Sequence, residues 1–242
     1  MNILAIGNSF SEDATRYIHG IAKADGVQLS VVNLYIGGCT LDRHYRNMMS
    51  DDRSYELQYN GYPTGFKVSL REALLNREWD IITLQQASHK SFDYQSYEPY
   101  ISELASYVRK YAPKSKLYIH QTWAYEGNSH RLLNVARYDT SKAMLNDVVK
   151  SYNLAAKSIN ADGIIPSGKL FEKLIEYGIE EIQRDTFHAS LGVGRYALGL
   201  LWYSVLCKKS VGNNGFCDFD SDISHEIIIK VKECVDCFSK EK

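Results

Sequence analysis

The sequence predicts an α/β protein, built as a three-layer α/β/α sandwich around a mostly parallel sheet of five strands. Short apolar runs alternate along the chain with longer stretches of helical periodicity, which is typical of successive β-α-β units. The 242 residues, 45% of them hydrophobic, are enough for one large core. Neither an internal repeat nor a low-complexity linker divides the chain, so we expect a single domain over residues 1–242.

The predicted elements follow one another in a regular order. The five apolar segments that predict the strands are 2–6, 27–36, 80–84, 116–120 and 163–165. Helical spacing predicts helices over 13–24, 69–77, 97–111, 138–159, 170–177, 191–206 and 224–238, the first of them capped by Ser11 and Glu12. Segments 54–59 and 65–69, on either side of Asn60-Gly61-Tyr62-Pro63, predict a β-hairpin inserted near 54–69, beside the site.

Composition excludes several classes of function. The formal net charge of -1 and the lack of a long basic run argue against a nucleic-acid partner. No apolar stretch approaches the ~18 residues of a membrane span, and no signal peptide precedes the first strand, so we expect a cytoplasmic protein without a membrane partner. Cys234 and Cys237 form a CxxC without a second pair or an HxxxH, which favours two small residues on one helix face over a metal site.

A serine follows the first predicted strand. Residues 3–11 place Ser9 in the turn between that strand and a helix, where a nucleophile is exposed at the sheet edge beside backbone donors. Two other interpretations stay open at this point. Ser9 is also a good helix cap, and a turn of this kind can bind phosphate, although neither GxGxxG nor GxxxxGKS/T occurs here.

An acid and a base lie three residues apart near the other end of the chain. A serine hydroxyl is a poor nucleophile until a base removes its proton, and a histidine base needs an acid to fix its tautomer. Asp185 and His188 offer both groups from one short loop before the helix predicted at 191–206. The pair alone is also compatible with a surface DxxH sequence that has no catalytic role.

Together these segments resemble the SGNH (GDSL-like) hydrolase superfamily. Residues 7–11, Gly-Asn-Ser-Phe-Ser, resemble its first block, GDSxS, with Asn8 in place of the aspartate, and Asp185-x-x-His188 resembles its last block. Between them, Gly38 follows the second strand, where the family's second block contributes a backbone N–H to the oxyanion hole. The resemblance implies a flavodoxin-like sheet, a Ser9–His188–Asp185 triad and an oxyanion hole that includes the N–H groups of Ser9 and Gly38.

One block departs from the family pattern. The family's third block, GxND, supplies an asparagine side chain to the oxyanion hole, whereas the third strand here is followed by Gln85-Gln86-Ala87-Ser88. This segment resembles a less characterised branch of the superfamily with a QQAS motif. Either glutamine amide offers an N–H. We assign the oxyanion role to Gln86, with Gln85 as the alternative and as a substrate-binding residue.

Polar and aromatic residues follow the fourth strand. His120, Gln121 and Trp123 are predicted to face the cleft and bind substrate, because an aromatic ring beside hydrogen-bonding groups suits a sugar or an acyl group. The alternative is that Trp123 covers the sheet edge. His120 competes with His188 as the base but has no acid nearby in the sequence. His44 also lacks such a partner and is predicted to lie at the surface.

The sequence therefore predicts an enzyme that hydrolyses carboxylic esters through an acyl-enzyme, without a metal or other cofactor. Short acyl groups, acetyl above all, on a carbohydrate or another small molecule are the substrates that the resemblance implies. A lysophospholipase or a thioesterase would use the same catalytic group. An alternative from a different class is a non-catalytic module that binds a glycan or a phosphate on the same scaffold.

Overall fold

The fold is organised around one seven-stranded sheet in a computed structural model that describes residues 1–240. Its five parallel strands are β1 (Asn2–Gly7), β2 (Ser30–Tyr35), β5 (Ile81–Leu84), β6 (Lys116–Gln121) and β7 (Gly163–Pro166). They lie in the order β2-β1-β5-β6-β7, the flavodoxin-like arrangement. Residues 241 and 242, which the single-domain prediction includes, lie outside the described residues.

The predicted five-stranded sheet was too small, because the hairpin extends it. Strands β3 (Tyr55–Tyr59) and β4 (Tyr62–Val68) pair with each other, and β3 pairs antiparallel with β2. The turn is also shorter than predicted. Tyr59 pairs with Tyr62, which leaves only Asn60 and Gly61 in the turn, both with positive φ angles of 50° and 85°. A two-residue turn of this kind matches the twist of the paired strands.

Nine α-helices lie among the described residues. They are α1 (Ser9–Thr15), α2 (Ile18–Ala24), α3 (Leu41–Ser50), α4 (Leu70–Leu75), α5 (Tyr100–Tyr111), α6 (Ser141–Ser158), α7 (Ser167–Glu176), α8 (Val193–Cys207) and α9 (His225–Lys240). None of the helices within residues 1–240 combines the length and the apolar character needed to cross a bilayer.

Two hydrophobic clusters, one on each face of the sheet, complete the three layers. Alternate residues of β1 point to opposite faces, so Ile3 joins the cluster with α1, α2, α7, α8 and α9. Leu4 joins the cluster with α3, α4, α5 and α6. The predicted three-layer α/β/α sandwich is thus confirmed.

The predicted and observed helices differ at two places before β3. The helix predicted over 13–24 is two helices, and α1 begins at Ser9 because the Asn8 side chain accepts a hydrogen bond from the Phe10 N–H at 3.0 Å. Helix α3 was not predicted at all. Its sequence, LDRHYRNMMS, has a strongly polar composition, and only Leu41, His44 and Met48 are buried, so the apolar stripe is too short to recognise.

His44 was predicted at the surface and is instead fully buried. Its ring lies parallel to that of Tyr55, and its Nδ1 is 2.9 Å from the Tyr55 hydroxyl. Of the two cysteines of the CxxC, Cys234 is buried in α9 and Cys237 is exposed.

We expect Gly61→Ala to destabilise the protein more than Gly65→Ala. Both glycines have positive φ, which costs a residue with a Cβ about 1–2 kcal/mol. A Cβ at Gly61 would in addition lie 2.2 Å from the Arg16 carbonyl oxygen, whereas a Cβ at Gly65 would meet nothing within 4 Å. Urea unfolding of the two variants measures the difference, and equal midpoints would contradict this account of the turn.

Candidate active site

Ser9 lies at the carboxyl end of β1 and opens α1. The chain turns there on Gly7, where a Cβ would come within 2.4 Å of the Ser11 hydroxyl and 2.9 Å of the Gln85 side chain. The Asn8 side chain accepts the Phe10 N–H, and the Asn8 backbone N–H donates to Ser11 Oγ at 3.0 Å. The residues on both sides of Ser9 are therefore held in place. The Ser9 hydroxyl faces His188, which lies in the loop over residues 183–189.

That loop brings Asp185 and His188 to Ser9. The His188 Nε2 lies 2.8 Å from Ser9 Oγ, and the His188 Nδ1 lies 2.7 Å from Asp185 Oδ2. The other oxygen of the carboxylate accepts the backbone N–H of His188 at 2.8 Å. With Nδ1 protonated and bound to the acid, the Nε2 lone pair faces the serine hydroxyl and can accept its proton.

Electrostatics keep the Asp185 carboxyl ionised. Partial burial alone would raise the pKa of this carboxyl. Hydrogen bonds from the His188 ring and backbone outweigh that effect, so the pKa of Asp185 lies below its ordinary value of 3.8. A carboxylate in this state holds the His188 ring in one tautomer and stabilises the imidazolium form.

The backbone of the loop is fixed between the acid and the base. Thr186 has a φ of 71°, which is uncommon for a residue with a branched side chain, and its carbonyl accepts the Glu126 N–H at 2.8 Å. The next carbonyl, that of Phe187, accepts the indole N–H of Trp123 at 2.7 Å. These bonds hold the turn that sets the distance from Asp185 to His188.

A buried carboxylate joins the loop to α1. Asp13, one helical turn beyond Ser9, is fully buried and accepts the Ala189 N–H at 3.1 Å. The same carboxylate binds Arg184 at 3.0 and 3.1 Å and Arg195 at 2.8 Å. Sequence reasoning missed Asp13, because an acidic residue in the first turns of a helix is ordinarily a solvated one.

A cavity of about 300 Å³ opens beside Ser9. The residues that line it come from the turn after β1 and the start of α1, from the end of β2 and the segment after it, from the segment after β5, and from two later segments. They are Asn8, Ser9, Phe10, Tyr35, Gly37, Gly38, Ala87, Ser88, His89, Arg131, Phe187 and His188. Its position at the strand ends between β1 and β5, where the connections diverge, is the usual ligand site of such sheets.

Gly38 lies in this cavity wall, and a hydrogen bond from Asn8 connects its neighbour Cys39 to the serine turn. The Asn8 Nδ2 donates to the Cys39 carbonyl at 3.1 Å, a bond that an aspartate could not make. Gly38 itself has a φ of 60° and is exposed to the cavity. The backbone N–H groups of Ser9 and Gly38 have no acceptor among the hydrogen bonds of residues 1–240.

Gln86 is not placed to serve an oxyanion hole, which corrects the prediction. Its side chain is fully buried, and its amide nitrogen donates to the carbonyl and the hydroxyl of Ser96, both at 3.1 Å. Its amide oxygen accepts the backbone N–H groups of Leu41 and Ala87 at 3.0 and 2.9 Å. Gln86 therefore ties the start of α3 to the segment after β5.

Gln85 and His120, predicted to bind substrate, belong instead to a buried polar row beneath Ser9. The row consists of Ser167, His120, Gln85 and Asn8, with separations of 3.0, 2.6 and 2.6 Å between successive side-chain atoms. Asn8 Oδ1 already accepts a backbone N–H, so Gln85 must donate to it and present its oxygen to His120. His120 then carries its proton on Nδ1 and accepts the Ser167 hydroxyl at Nε2.

Gln121 and Trp123 do not reach the cavity either. Gln121 is 1% exposed, and Trp123 is fully buried with its ring stacked on Phe10 at 4.2 Å between centroids. The burial of Trp123 in the core favours the alternative interpretation, in which it packs against the sheet and does not bind substrate. His120 lies in the buried row, away from Ser9. Within residues 1–240, no three histidine, cysteine or acidic side chains are grouped as ligands for a metal ion.

Comparison with known proteins places the chain in a family. The family model described as a domain of unknown function, DUF4886, matches residues 2–227. The chain belongs to the DUF4886 family. A crystal structure of a DUF4886 family protein from Bacteroides uniformis is 30% identical, with a TM-score of 0.89 over 98% of this chain and 93% of that one. No curated protein sequence matches the chain.

More distant structures identify the fold of this DUF4886 chain. A candidate SGNH hydrolase from Slackia heliotrinireducens is 20% identical, with a TM-score of 0.62 over 85% of this chain and 98% of that one. An acetylxylan esterase from Geobacillus stearothermophilus is 14% identical, with a TM-score of 0.53 over 84% and 92%. The predicted resemblance to SGNH hydrolases is thus confirmed for the fold.

We expect Asp13→Ala to cost the DUF4886 chain roughly 3–5 kcal/mol of stability, because it leaves the Arg184 and Arg195 guanidinium groups without their shared buried partner. Urea unfolding at pH 7 measures the loss. Glu226→Ala is the control, since it removes an exposed pair with Lys230 and should leave the midpoint unchanged. Equal midpoints for the two variants would contradict the role assigned to Asp13.

We expect stability to fall as the pH is lowered below about 6.5. Burial lowers the pKa of both His44 and His120 from 6.5 to about 3. Both rings thus stay neutral in the folded chain while the unfolded chain takes up protons. The loss should approach about 1.4 kcal/mol per pH unit for each ring.

Urea unfolding of the parent and of His44→Phe between pH 8 and pH 5 tests this expectation. The two proteins should show parallel behaviour above pH 7, where neither state is protonated at these rings. Between pH 6 and 5 the variant should lose stability less steeply than the parent. Equal slopes in that interval would show that His44 does not titrate as its burial requires.

Proposed function

We propose that this chain is a serine hydrolase that cleaves carboxylic esters. The observation that carries the proposal is the continuous hydrogen-bonded chain from Asp185 through His188 to Ser9, with separations of 2.7 and 2.8 Å. Ser9 and His188 line a cavity, so the serine is accessible to a substrate. The shared SGNH fold and the lipases and esterases among the structures that adopt it support the same reaction class.

In the first step, Ser9 Oγ attacks the ester carbonyl while His188 Nε2 takes the hydroxyl proton. Asp185 stabilises the imidazolium that forms. His188 then gives the proton to the leaving alcohol, and the acyl group stays on Ser9. In the second step His188 removes a proton from water, the resulting hydroxide attacks the acyl-enzyme, and the proton returns to Ser9 as the acid leaves.

The backbone N–H groups of Ser9 and Gly38 are the proposed donors to the tetrahedral oxyanion. Asn8 supports both, because it caps the helix that Ser9 opens and binds the carbonyl of Cys39, next to Gly38. Gln86 is not a third donor, because its amide nitrogen donates to Ser96. Removing a single donor typically lowers turnover on the order of 10²–10³-fold, so a two-donor hole carries a large share of the rate.

The proposed acyl part is short, with acetyl as the first choice. A cavity of about 300 Å³ is at the small end for ligand sites, which favours a compact acyl group over a lipid chain. A carbohydrate as the alcohol part now rests on the shared fold with an acetylxylan esterase. Trp123, which was predicted to bind the sugar, is buried and does not contribute to such a site.

We expect Ser9→Ala to lower hydrolysis of 4-nitrophenyl acetate by on the order of 10⁴-fold or more, because Ser9 supplies the hydroxyl that lies against His188 Nε2. Ser106→Ala, which removes an exposed hydroxyl on α5, is the matched control and should keep the parent rate. A Ser9→Ala protein as fast as the parent would remove Ser9 from the mechanism.

Labelling with a fluorophosphonate separates an enzyme from a binding module. The parent should be modified on the peptide that contains Ser9, at one label per chain, and Ser9→Ala should not be modified. A Ser9 that stays unlabelled in a protein that binds a glycan or phosphate tightly would favour the non-catalytic module.

A further inference from the structure

The cavity beside Ser9 is lined by basic and neutral side chains. No aspartate or glutamate is among the described residues that line it, whereas Arg131, His89 and His188 are. The nearest acid of the site, Asp185, is committed to His188 through both of its oxygens. A substrate in this cavity therefore meets cationic and neutral groups but no free carboxylate.

Arg131 is the permanent charge in this wall. Its guanidinium carbon lies 3.7 Å from the ring centroid of Phe187, whose ring is in turn 3.8 Å from that of His188. The second aromatic ring beside it is that of Tyr125, at 5.7 Å. Stacking on an aromatic face fixes the plane of a guanidinium. The Tyr125 side chain takes one hydrogen bond from Arg131, and the guanidinium has further N–H groups that can bind an anion in its plane.

Arg131 has no acidic partner within residues 1–240. Each of the other arginines close to the triad, Arg184 and Arg195, binds the buried Asp13. No carboxylate of the described residues comes within 4.0 Å of the Arg131 guanidinium. A half-buried arginine in the wall of a cavity, held by rings and not by an acid, has the form of an anion-binding group.

The charge available to a ligand is close to one unit. Burial lowers the pKa of His89, and the neighbouring charges of Lys90 and Arg131 lower it further, so that ring is neutral at pH 7. The Lys90 amine is already bound to Asp42 at 3.1 Å. A single guanidinium matches a singly charged carboxylate better than a phosphate, which carries up to two charges.

We propose that the active site selects esters that carry a carboxylate, which Arg131 binds at the cavity wall while Ser9 attacks the ester. This inference rests on the proposed function and adds the substrate class to it. The carboxylate belongs either to the acyl half or to the alcohol half of the ester. Both halves offer the same chemistry to the guanidinium, so the experiment has one arm for each.

Two matched pairs of esters test the proposal on the full chain. For the alcohol half, 4-acetoxybenzoate is compared with its neutral methyl ester. For the acyl half, 4-nitrophenyl hydrogen glutarate is compared with methyl 4-nitrophenyl glutarate. The measured quantity is the ratio of kcat/KM for the anionic ester to that for its neutral partner, after subtraction of the uncatalysed rate.

We expect the parent to prefer the anionic ester in one pair. Arg131→Gln should lower that ratio roughly 10- to 100-fold, mainly through the KM of the anionic ester. Arg131→Lys should fall between the two, since it keeps the charge without the planar fork. Arg137→Gln removes the same charge from an exposed position on the same segment, outside the cavity wall, and should change neither ester.

Three results would overturn the inference, and they differ from one another. A parent that hydrolyses neutral and anionic esters alike would reject the carboxylate while leaving the proposed function intact. Equal losses for both members of a pair in Arg131→Gln would show that Arg131 only supports Phe187 and His188. A parent that cleaves no ester and takes no fluorophosphonate label on Ser9 would reject the proposed function and this inference together.

Discussion

The whole site depends on holding a late loop against the first helix of the chain. Ser9 and His188 are 179 residues apart, yet their reacting atoms lie 2.8 Å from each other. The buried carboxylate of Asp13 on α1 makes this possible. It accepts hydrogen bonds from the Ala189 N–H and from the guanidinium groups of Arg184 and Arg195. Taking these charges out of water is costly, and the arrangement persists because every oxygen of the carboxylate has a partner.

A second constraint on the position of Ser9 comes from the buried polar row of Ser167, His120, Gln85 and Asn8. The serine turn rests on the polar row, and Asn8 is the member that the row shares with the proposed oxyanion hole. The same amide caps α1, receives Gln85 and donates to the loop that carries Gly38. Hydrogen bonds inside a protein are strong when all members are satisfied. The position of Ser9 is thereby set by side chains that never meet the substrate.

The sequence was sufficient for the layers of the fold and for the residues that meet at Ser9, because both leave local signals. Apolar runs mark buried strands, and three short blocks in the right order mark the serine, the glycine and the Asp185–His188 loop. The roles of Gln85, Gln86, His120 and Trp123 were misjudged. A polar residue after a strand has the same pattern whether it faces a cavity or a neighbouring side chain, and only tertiary packing distinguishes the two. The hairpin was predicted, but no sequence pattern indicates that it pairs with β2.

The polar row also restricts how relatives of this chain can diverge. The Phe10 N–H donates to Asn8 Oδ1 at one end of the row, and this determines which atom donates in each of the following hydrogen bonds. A glutamate for Gln85 would bring two acceptors together at Asn8 Oδ1, where both side chains are buried. A change at one of these positions is therefore tolerable only when its neighbour changes as well. The four residues should be inherited as a set, and homologues that lack one of them should have rebuilt the others.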